Sequence, residues 1–564
     1  MLGIARSVAV LALFLSACTP NVSGPVPARP VEEQAAAATA PPTAMTMAAP
    51  SVVSAESSDI GPECPTNFCL RYEINPRARW ADGSPITAAD FAHTADLYRE
   101  VSPDTPPYAA VSEVLPVAEH TVQVVFDEPN GAWQGLFSRL IRSGDPGRSI
   151  EQVTTTGPFR FDEWAEGEFL TLDRDPDWWA EEDPISGMPL GDVERIRFVF
   201  IDRREEMVDA LENGDIDVMI ARPDESIVAE LSEVDGVRVA LAPGPFWEHI
   251  DFHHDDPLLS EPWVREVFSV AIDREKILDR TVRAVAPDTA VLDNTIWMPR
   301  SEHYEPHFPD GFDPDRAREI LRREGCVAGE DGVQVCGGER MSFRWASTDD
   351  DPTRRATFES VREDLEAVGI EVVGEFLAPS DFIRRDFLFG GPDRWQLINF
   401  SWRARPDPVA TNSVYYCGDA GVLNVNRYCS ERVEDLIRST DRIVYPEGRA
   451  AVYNWADRRY LEDRALIPLY QKPTMMSWSA AIDGPEPNHN LGGDLWNVAA
   501  WSGKVEVIVA LPSEPNTIDP VSIEDDVANV ILGPLLYGAF GMDPSHGRLP
   551  VLVESVELLT PSQR

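Results

Sequence analysis

Histidine and aspartate alternate in one short segment, and their spacing could bind a metal ion. The segment reads H249-I-D-F-H-H-D-D256. If it forms a β-strand, His249, Asp251 and His253 lie on one face, because side chains alternate with a period of two. Imidazole and carboxylate groups together suit divalent transition metals. The alternative, which we favour, is a strand whose polar groups are satisfied by neighbouring residues, and no cofactor is predicted.

The chain contains no grouping of residues typical of a catalytic site. It lacks the G-x-S-x-G, H-E-x-x-H and S-x-x-K motifs. Gly503-Lys504 lacks both the upstream glycine and the following Ser or Thr of a phosphate-binding loop. The sequence therefore predicts a protein that is not an enzyme.

The first eighteen residues have the pattern of a secretory signal that ends at a lipid-attachment site. Arg6 precedes an apolar run from Val8 to Leu15. This run is too short to cross a bilayer, since a spanning helix needs about 20 residues. The sequence L-S-A-C then ends at Cys18. We predict that residues 1–17 are removed and that Cys18 carries the lipid; an ordinary signal peptide with an incidental cysteine is the alternative.

Residues 18–60 are predicted to form a disordered tether, because they are rich in Ala, Pro, Ser and Thr and have few large apolar side chains. Six cysteines remain after Cys18, an even number in a chain predicted to be exported, so disulfides are expected. Short separations favour the pairs Cys64–Cys69, Cys326–Cys336 and Cys417–Cys429. Metal ligation is the alternative, but no C-x-x-C pair supports it.

The charge of the chain excludes nucleic acid as a partner. The formal charge is −47, from 96 acidic and 49 basic residues. A surface of this sign repels a polyanion and offers no basic stripe to release counterions from phosphates. We interpret the charge as a solvated acidic surface that keeps an exported protein soluble.

Helix and strand patterns alternate along the chain, as in an α/β fold. Asp313-Pro314 and Asp351-Pro352 each place a capping carboxylate before a proline at the first helical position. Gly325 and Gly369 follow the two predicted helices and end them. The strand I370-E-V-V-G-E-F376 begins directly after the second helix.

A series of motifs resembles one family of binding proteins. The segment W80-A-D-G-S-P-I-T-A-A-D-F91 is similar to the W-S-D-G-x-P-V-T-A-x-D-F segment of family 5 of the extracellular solute-binding proteins, whose members bind oligopeptides, dipeptides and nickel. Further similar segments follow in family order: T156-G-P-F-R-F161, D173-R-D-P-D-W-W179, L211-E-N-G-D-I-D-V218, V264-R-E-V-F-S-V-A-I-D-R-E-K-I277, D313-P-D-R-A-R-E-I-L321, L365-E-A-V-G-I370, W402-R-A-R-P-D-P408 and A465-L-I-P-L-Y470. The resemblance covers residues 61–501 and implies a two-lobed α/β fold that closes on a ligand.

The usual opening of the family is missing before Cys64 and is found at the other end. K504-V-E-V-I-V-A-L-P-S-E-P-N-T-I-D-P520 and the residues after it resemble the first sixty or so residues of a mature member. We therefore predict a circular permutation, in which residues 503–564 supply the N-terminal strands. The first lobe would comprise 61–248 and 467–564, and the second lobe 249–466. A truncated second copy in tandem is the alternative.

The resemblance also implies where a ligand would bind. In peptide-binding members the stretch after the Asp-Pro turn faces the cleft, and the corresponding residues here are Ile523 to Val527. Peptide binders carry W-x-A-D-x-x-D-P, whose first aspartate pairs with the peptide amine, whereas this chain has Arg405 near that place. An arginine cannot accept a hydrogen bond from an ammonium group. Either Asp407 or the acidic trio Glu524, Asp525 and Asp526 takes the place of that aspartate, or the ligand presents an anion to Arg405. The predicted ligand residues are Tyr108, Trp402, Arg405, Asp407, Glu524, Asp525 and Asp526.

The resemblance implies a monomeric lipoprotein of an ABC importer. It would sit at the outer face of the plasma membrane or in the periplasm, capture a small solute, with a peptide as the default, and deliver it to a permease and its ATPase subunits. One alternative is a lipoprotein of the same fold that acts as a sensor or envelope scaffold. A binder of a nickel chelate or another non-peptide solute is the other.

Overall fold

The structure is a computed structural model that describes residues 64–66, 68–101, 106–221, 225–418, 423–488, 495–521, 525–544 and 547–559. The predicted signal, Cys18, the tether and Glu524 lie outside the described residues. Within the described ranges, no helix has both the length and the apolar character needed to cross a membrane.

The chain folds into strands and helices that alternate over most of its length. The strands are β1 (Cys69–Ile74), β2 (Val111–Ala118), β3 (Thr121–Phe126), β4 (Phe159–Ala165), β5 (Phe169–Arg174), β6 (Arg195–Phe200), β7 (Val218–Ala221), β8 (Val237–Phe252), β9 (Val327–Ala328), β10 (Gln334–Cys336), β11 (Glu339–Arg340), β12 (Ser342–Thr348), β13 (Glu371–Leu377), β14 (Leu397–Arg403), β15 (Leu466–Ser479), β16 (Glu506–Leu511), β17 (Phe540–Met542), β18 (Arg548–Pro550) and β19 (Val553–Leu559). The helices are α1 (Ala88–Val101), α2 (Arg204–Asn213), α3 (Glu225–Ser232), α4 (Pro262–Ala271), α5 (Arg274–Thr281), α6 (Pro314–Arg323), α7 (Pro352–Glu366), α8 (Pro379–Phe382), α9 (Arg385–Leu388), α10 (Glu431–Thr440), α11 (Pro446–Glu462) and α12 (Asp526–Leu532).

A ten-stranded mixed sheet runs through the whole molecule, in the order β13-β12-β14-β8-β15-β7-β16-β6-β5-β4. Its two central strands, β8 and β15, are long and antiparallel to each other. Their register shifts between Pro468 and Tyr470 and again between Gln471 and Pro473. Proline cannot donate to the ladder, so these irregularities are expected where prolines enter a strand. The two strands thus join one half of the sheet to the other.

The buried side chains form separate cores on the two sides of this junction. One core draws its residues from 68–198, from Val218 and from 476–558, and we call the part of the molecule around it the first lobe. Two further cores draw theirs from 247–470, and we call the part around them the second lobe. The mixed α/β architecture predicted from the sequence is therefore confirmed, whereas the exact lobe boundaries stay predictions.

The predicted helix starts are found. Asp313 accepts a hydrogen bond from the backbone N–H of Arg316 at the start of α6. Asp351 accepts a hydrogen bond from the backbone N–H of Thr353 at the start of α7. Such caps satisfy backbone donors that have no partner within the helix. The three predicted disulfides, Cys64–Cys69, Cys326–Cys336 and Cys417–Cys429, are also present.

The C-terminal segment is built into the first lobe. Strand β16 lies in parallel between β6 and β7 in the large sheet. Strand β19 pairs with β1, with Cys69 opposite Leu559, in a second sheet of order β19-β1-β3-β2. The side chains of Val507, Val509 and Leu552 are fully buried in the first core. The last sixty residues therefore complete the fold of the first lobe.

We propose that this arrangement arose by circular permutation. Strand β16 is interior to the large sheet and β19 adds an edge strand beside β1, so residues 506–559 are part of the first lobe, as the opening strands of an unpermuted member would be. A tandem fragment would instead be expected to form a separate body with its own contacts. Hairpin tips tolerate new termini, and domain ends are often close together, so the rearrangement is physically easy.

Deletion of residues 503–564 is expected to prevent folding, because it divides the ten-stranded sheet and exposes the first core. The measurement is cooperative thermal unfolding followed by circular dichroism. A truncation of residues 560–564, which leaves β19 intact, is the control and should unfold as the full chain does. Undiminished cooperative unfolding of the long deletion would contradict the permutation.

Candidate functional site

The end of β14 brings the second lobe against the C-terminal segment of the first lobe. Arg403, the last residue of β14, is 5% exposed and forms an ion pair with Asp526 at the start of α12. Its guanidinium also lies over the ring of Phe246, 5.2 Å from the centroid. The neighbouring Asp525 caps α12 by accepting from the N–H of Val527 at 2.9 Å. Two residues of the predicted acidic trio therefore lie at the junction of the lobes.

Arg405 follows two residues later and is half-buried. Among the described residues, none forms a hydrogen bond or ion pair with its guanidinium. Burial, together with the nearby charge of Arg403, lowers the pKa of Arg405 to about 10, while Asp526 acts in the opposite direction. The positive charge of Arg405 is thus only partly compensated by the protein.

Asp407 is already paired within the protein. It caps the 3-10 helix Pro408–Tyr415 by accepting from the N–H of Val409, and it lies 3.0 Å from the guanidinium of Arg449 on α11. Burial alone would raise the pKa of Asp407, but Arg449 and the more distant Arg548 of β18 lower it. Asp407 is therefore an ionised carboxylate with cationic neighbours, and its role as a ligand contact stays a prediction.

The two predicted aromatic ligand residues are both buried. Trp402 is 6% exposed; its ring lies parallel to the imidazole of His249 at 6.1 Å and edge-on to Phe400 at 5.0 Å. Tyr108 is 5% exposed in the first core, where it stacks on Tyr98 at 4.9 Å. The hydroxyl of Tyr108 accepts a hydrogen bond of 2.8 Å from the N–H of Phe137. The structure gives both rings a packing role, and ligand contact stays a prediction for each.

The histidines and aspartates of the histidine-rich segment bond to different partners. His249 and Asp251 lie on β8 and bond to each other at 3.2 Å, and Asp251 also accepts from Asn426. His253 lies beyond the end of β8 and instead contacts the carbonyl oxygen of Gly390 at 3.0 Å. In the part of the chain that the structure describes, no three such residues converge as metal ligands would. Nδ1 of His249 is buried and has no hydrogen-bond partner among the described residues, so the polar groups of this strand are satisfied only in part.

A buried charge cluster at the junction of the lobes escaped the sequence reasoning. Glu248 on β8 lies 3.2 Å from the guanidinium of Arg354 and 3.1 Å from the ammonium of Lys472 on β15. Lys472 also pairs with Asp351. Burial works against the charge of Glu248, but Arg354 and Lys472 lower its pKa to about 2. We call Glu248, Asp351, Arg354 and Lys472 the junction cluster.

Loops from the two lobes also contact each other directly. The N–H of Gly131 donates to the carbonyl oxygen of Asp441 at 2.7 Å. The indole N–H of Trp133 donates to the carbonyl oxygen of Val444 at 2.8 Å. Arg442 pairs with Glu128 at 2.6 Å. These contacts hold the first lobe against the second in this structure.

Two surface grooves lie elsewhere, along α10 and α6 on the outside of the second lobe. Their lining residues include none of the predicted ligand residues. They are shallow and open, whereas ligand sites are concave and largely enclosed. The lobe junction, and not these grooves, is therefore the candidate site.

Comparison with known proteins decides the family. Residues 67–421, more than half of the chain, match the model described as bacterial extracellular solute-binding proteins, family 5 middle. The chain belongs to this family.

Individual relatives are distant in sequence. The chain is 24% identical over 435 residues to the oligopeptide-binding protein OppA of Mycobacterium tuberculosis, covering 72% of this chain and 69% of OppA. Among solved structures, it is similar to the periplasmic EDTA-binding protein EppA, with a TM-score of 0.64, 20% identity and coverage of 77% of this chain and 84% of EppA. It is also similar to NikZ of Campylobacter jejuni in complex with Ni(L-His), with a TM-score of 0.60, 17% identity and coverage of 78% and 90%. This family 5 member therefore has a fold shared by binders of chemically different solutes.

The substitution Glu248→Gln is expected to destabilise the protein by about 3–5 kcal/mol at neutral pH, because it leaves buried cations of the junction cluster without their counter-charge. The pKa of Glu248 is about 2, below its ordinary value of 4.5. Its contribution to stability is therefore present above about pH 4.5 and is lost as the pH falls towards 2. Urea unfolding as a function of pH measures both effects. The exposed Glu339→Gln is the control, and equal stability of the two variants would contradict the assignment.

The substitution Gly131→Ala is expected to separate the lobes. A methyl group there would lie 2.2 Å from the carbonyl oxygen of Thr440 and 2.8 Å from that of Ile443. Such overpacking typically costs about 1–3 kcal/mol, here at the expense of the closed arrangement. Small-angle X-ray scattering should give a larger radius of gyration than for the unsubstituted chain. Gly448→Ala, whose new methyl group would meet Ile443 at an ordinary 3.6 Å, is the control. Identical scattering curves for the two variants would show that the contact does not hold the lobes.

Proposed function

We propose that the protein is the solute-capturing lipoprotein of an ABC importer and that it has no enzymatic activity. It binds a small solute between its lobes and delivers the solute to a membrane permease with its ATPase subunits. The family membership supports this role, because the matched model describes extracellular solute-binding proteins. The L-S-A-C sequence ending at Cys18 supports lipid attachment, which would hold the protein in the periplasm or at the outer face of the plasma membrane.

One structural observation carries the proposal. Side chains from both lobes meet at the end of β14, where Arg403 contacts Asp526 and where the charge of Arg405 is only partly compensated. Two lobes that share a polar junction can enclose a solute and bind it by hydrogen bonds and shape, without changing it chemically. The protein would act as a monomer, since each chain supplies both lobes.

The solute class is the less constrained part of the proposal. A peptide is the default, since the relative OppA is an oligopeptide-binding protein. A metal chelate is the alternative, because NikZ is solved with Ni(L-His) and EppA is an EDTA-binding protein. The polar junction of this chain suits either class, because both present carboxylates and amine or amide groups to the protein.

A second candidate is a lipoprotein of the same fold that senses or organises the envelope without transport. Its support is that Trp402, Arg403 and Asp407 all contact the protein's own side chains. Side chains that are already paired within the protein have fewer groups left to bind a solute. Recovery of a bound molecule separates the two candidates.

The test is mass spectrometry of the small molecules released when the purified mature chain is denatured. Peptides are expected if the default holds, and a metal chelate or a sugar would support capture of a different solute. Trp402→Phe should retain less of the molecule, whereas Trp455→Phe, at a ring that is 60% exposed, should retain as much as the unsubstituted chain. No released molecule, together with no thermal stabilisation by peptides or chelates, would favour the envelope role and contradict capture.

A further inference from the structure

Arginines outnumber carboxylates at the lobe junction of a protein whose overall charge is −47. Arg403 and Arg405 both lie near a single carboxylate, that of Asp526, which is committed to the ion pair with Arg403. The adjacent Asp525 turns its side chain to the backbone N–H groups of Val527 and Ala528. Arg405 is therefore left with no acceptor of its own among the described residues.

Two arginines also share the carboxylate of Asp407. Arg449 and Arg548 both lie near the carboxylate of Asp407, which bonds to Arg449. Arg548 belongs to β18 of the first lobe, and it donates to the backbone carbonyl oxygen of Gln134. Burial lowers the pKa of Arg548, and Asp407 offsets this only in part. Arg403 and Arg405 thus share the carboxylate of Asp526, and Arg449 and Arg548 share that of Asp407, with Asp441 also near Arg449.

Excess positive charge in a half-buried place is unfavourable without a counter-charge. Taking a guanidinium out of water costs free energy, and a like charge nearby adds to this cost. The surface of this chain could readily supply another carboxylate, because acidic residues exceed basic ones by almost two to one. None of the described residues supplies this counter-charge to Arg405, so an anion of a bound solute would be favoured there.

We propose that Arg405 binds a carboxylate of the captured solute. This inference rests on the proposed capture function and adds the charge of the ligand to it. The planar guanidinium offers two parallel N–H donors, which match the two oxygens of a carboxylate. A solute would then enter with its anionic end towards β14. This orientation is the opposite of the one expected where an aspartate at this place binds the amine of a peptide.

The test is isothermal titration calorimetry of the full mature chain with two peptides of opposite charge and two small anions. The probes are N-acetyl-trialanine with a free carboxylate, trialanine amide with a free amine, citrate and inorganic phosphate. We expect a carboxylate probe to bind, and to bind more weakly as salt concentration rises. Arg405→Gln should weaken this binding by at least about tenfold, because a charged hydrogen-bonded pair is lost. The exposed Arg432→Gln is the matched control and should leave the affinity unchanged.

The outcomes separate the inference from the function on which it rests. Binding of the amine probe but of no carboxylate would leave capture intact and overturn the role of Arg405. Equal carboxylate binding by Arg405→Gln and the unsubstituted chain would also overturn it. Binding of phosphate alone would replace the carboxylate with another oxyanion and so refute the stated class. If no probe binds and no molecule is released on denaturation, the capture function fails as well.

A second measurement needs no ligand. If Arg405 is held for a ligand, Arg405→Gln should melt at the same temperature as the unsubstituted chain or higher, because an unpaired charge has been removed. Arg449→Gln should melt lower, because it leaves the buried Asp407 without its partner. A fall in melting temperature for Arg405→Gln as large as that for Arg449→Gln would show that Arg405 is structural and would contradict the proposal.

Discussion

The structure depends on the insertion of β16 between β6 and β7. Parallel strands need long connections, and β16 pairs with strands far earlier in the chain, Glu506 with Arg195 and Val509 with Val218. Without it, β7 and the two long strands β8 and β15 would lose their hydrogen-bonded link to β6, β5 and β4. The contact between Arg403 and Asp526 at the lobe junction also depends on this strand, because Asp526 follows it in the chain.

The junction combines two kinds of buried charge. In the junction cluster, Glu248 and Asp351 face Arg354 and Lys472, so acidic and basic groups are evenly matched. Around Arg405, by contrast, guanidinium groups share too few carboxylates. Charges that are matched and hydrogen-bonded within the protein fix its geometry, whereas a charge without a partner is available to a ligand. This difference is the physical basis for assigning one cluster to the fold and the other to function.

Local rules predicted a large part of this fold. The carboxylates of Asp313 and Asp351 cap their helices as expected, since an N-cap needs only a side-chain oxygen near a few backbone donors. The three disulfides were also predictable, because the two cysteines of each pair are close together in the sequence. Arg405 drew attention because W402-R-A-R-P-D-P408 resembles the family motif but has an arginine near the place of its aspartate. The sequence motifs alone thus indicated the family.

Contacts between side chains far apart in the chain could not be predicted from the sequence. Glu248 and Lys472 are separated by more than two hundred residues, and nothing in either local segment marks it as one half of an ion pair. Tyr108 fits a cleft motif by resemblance, yet its packing on Tyr98 depends on how α1 lies over the sheet. The spacing of His249, Asp251 and His253 indicated a shared face, but β8 ends at Phe252, and the backbone turns away before His253.

The pairing of β1 with β19 has a mechanical consequence. Cys69 and Leu559 are direct partners in this ladder, so the start of β1 and the end of β19 lie side by side at one end of the sheet. If the proposed lipid anchor is present, a pull along the preceding chain would first load β1, which is hydrogen-bonded to β19 on one side and to β3 on the other. Such a force acts along the strand and must shear many hydrogen bonds at once. Under the proposed lipid attachment, the first lobe would consequently resist being unfolded by such a pull.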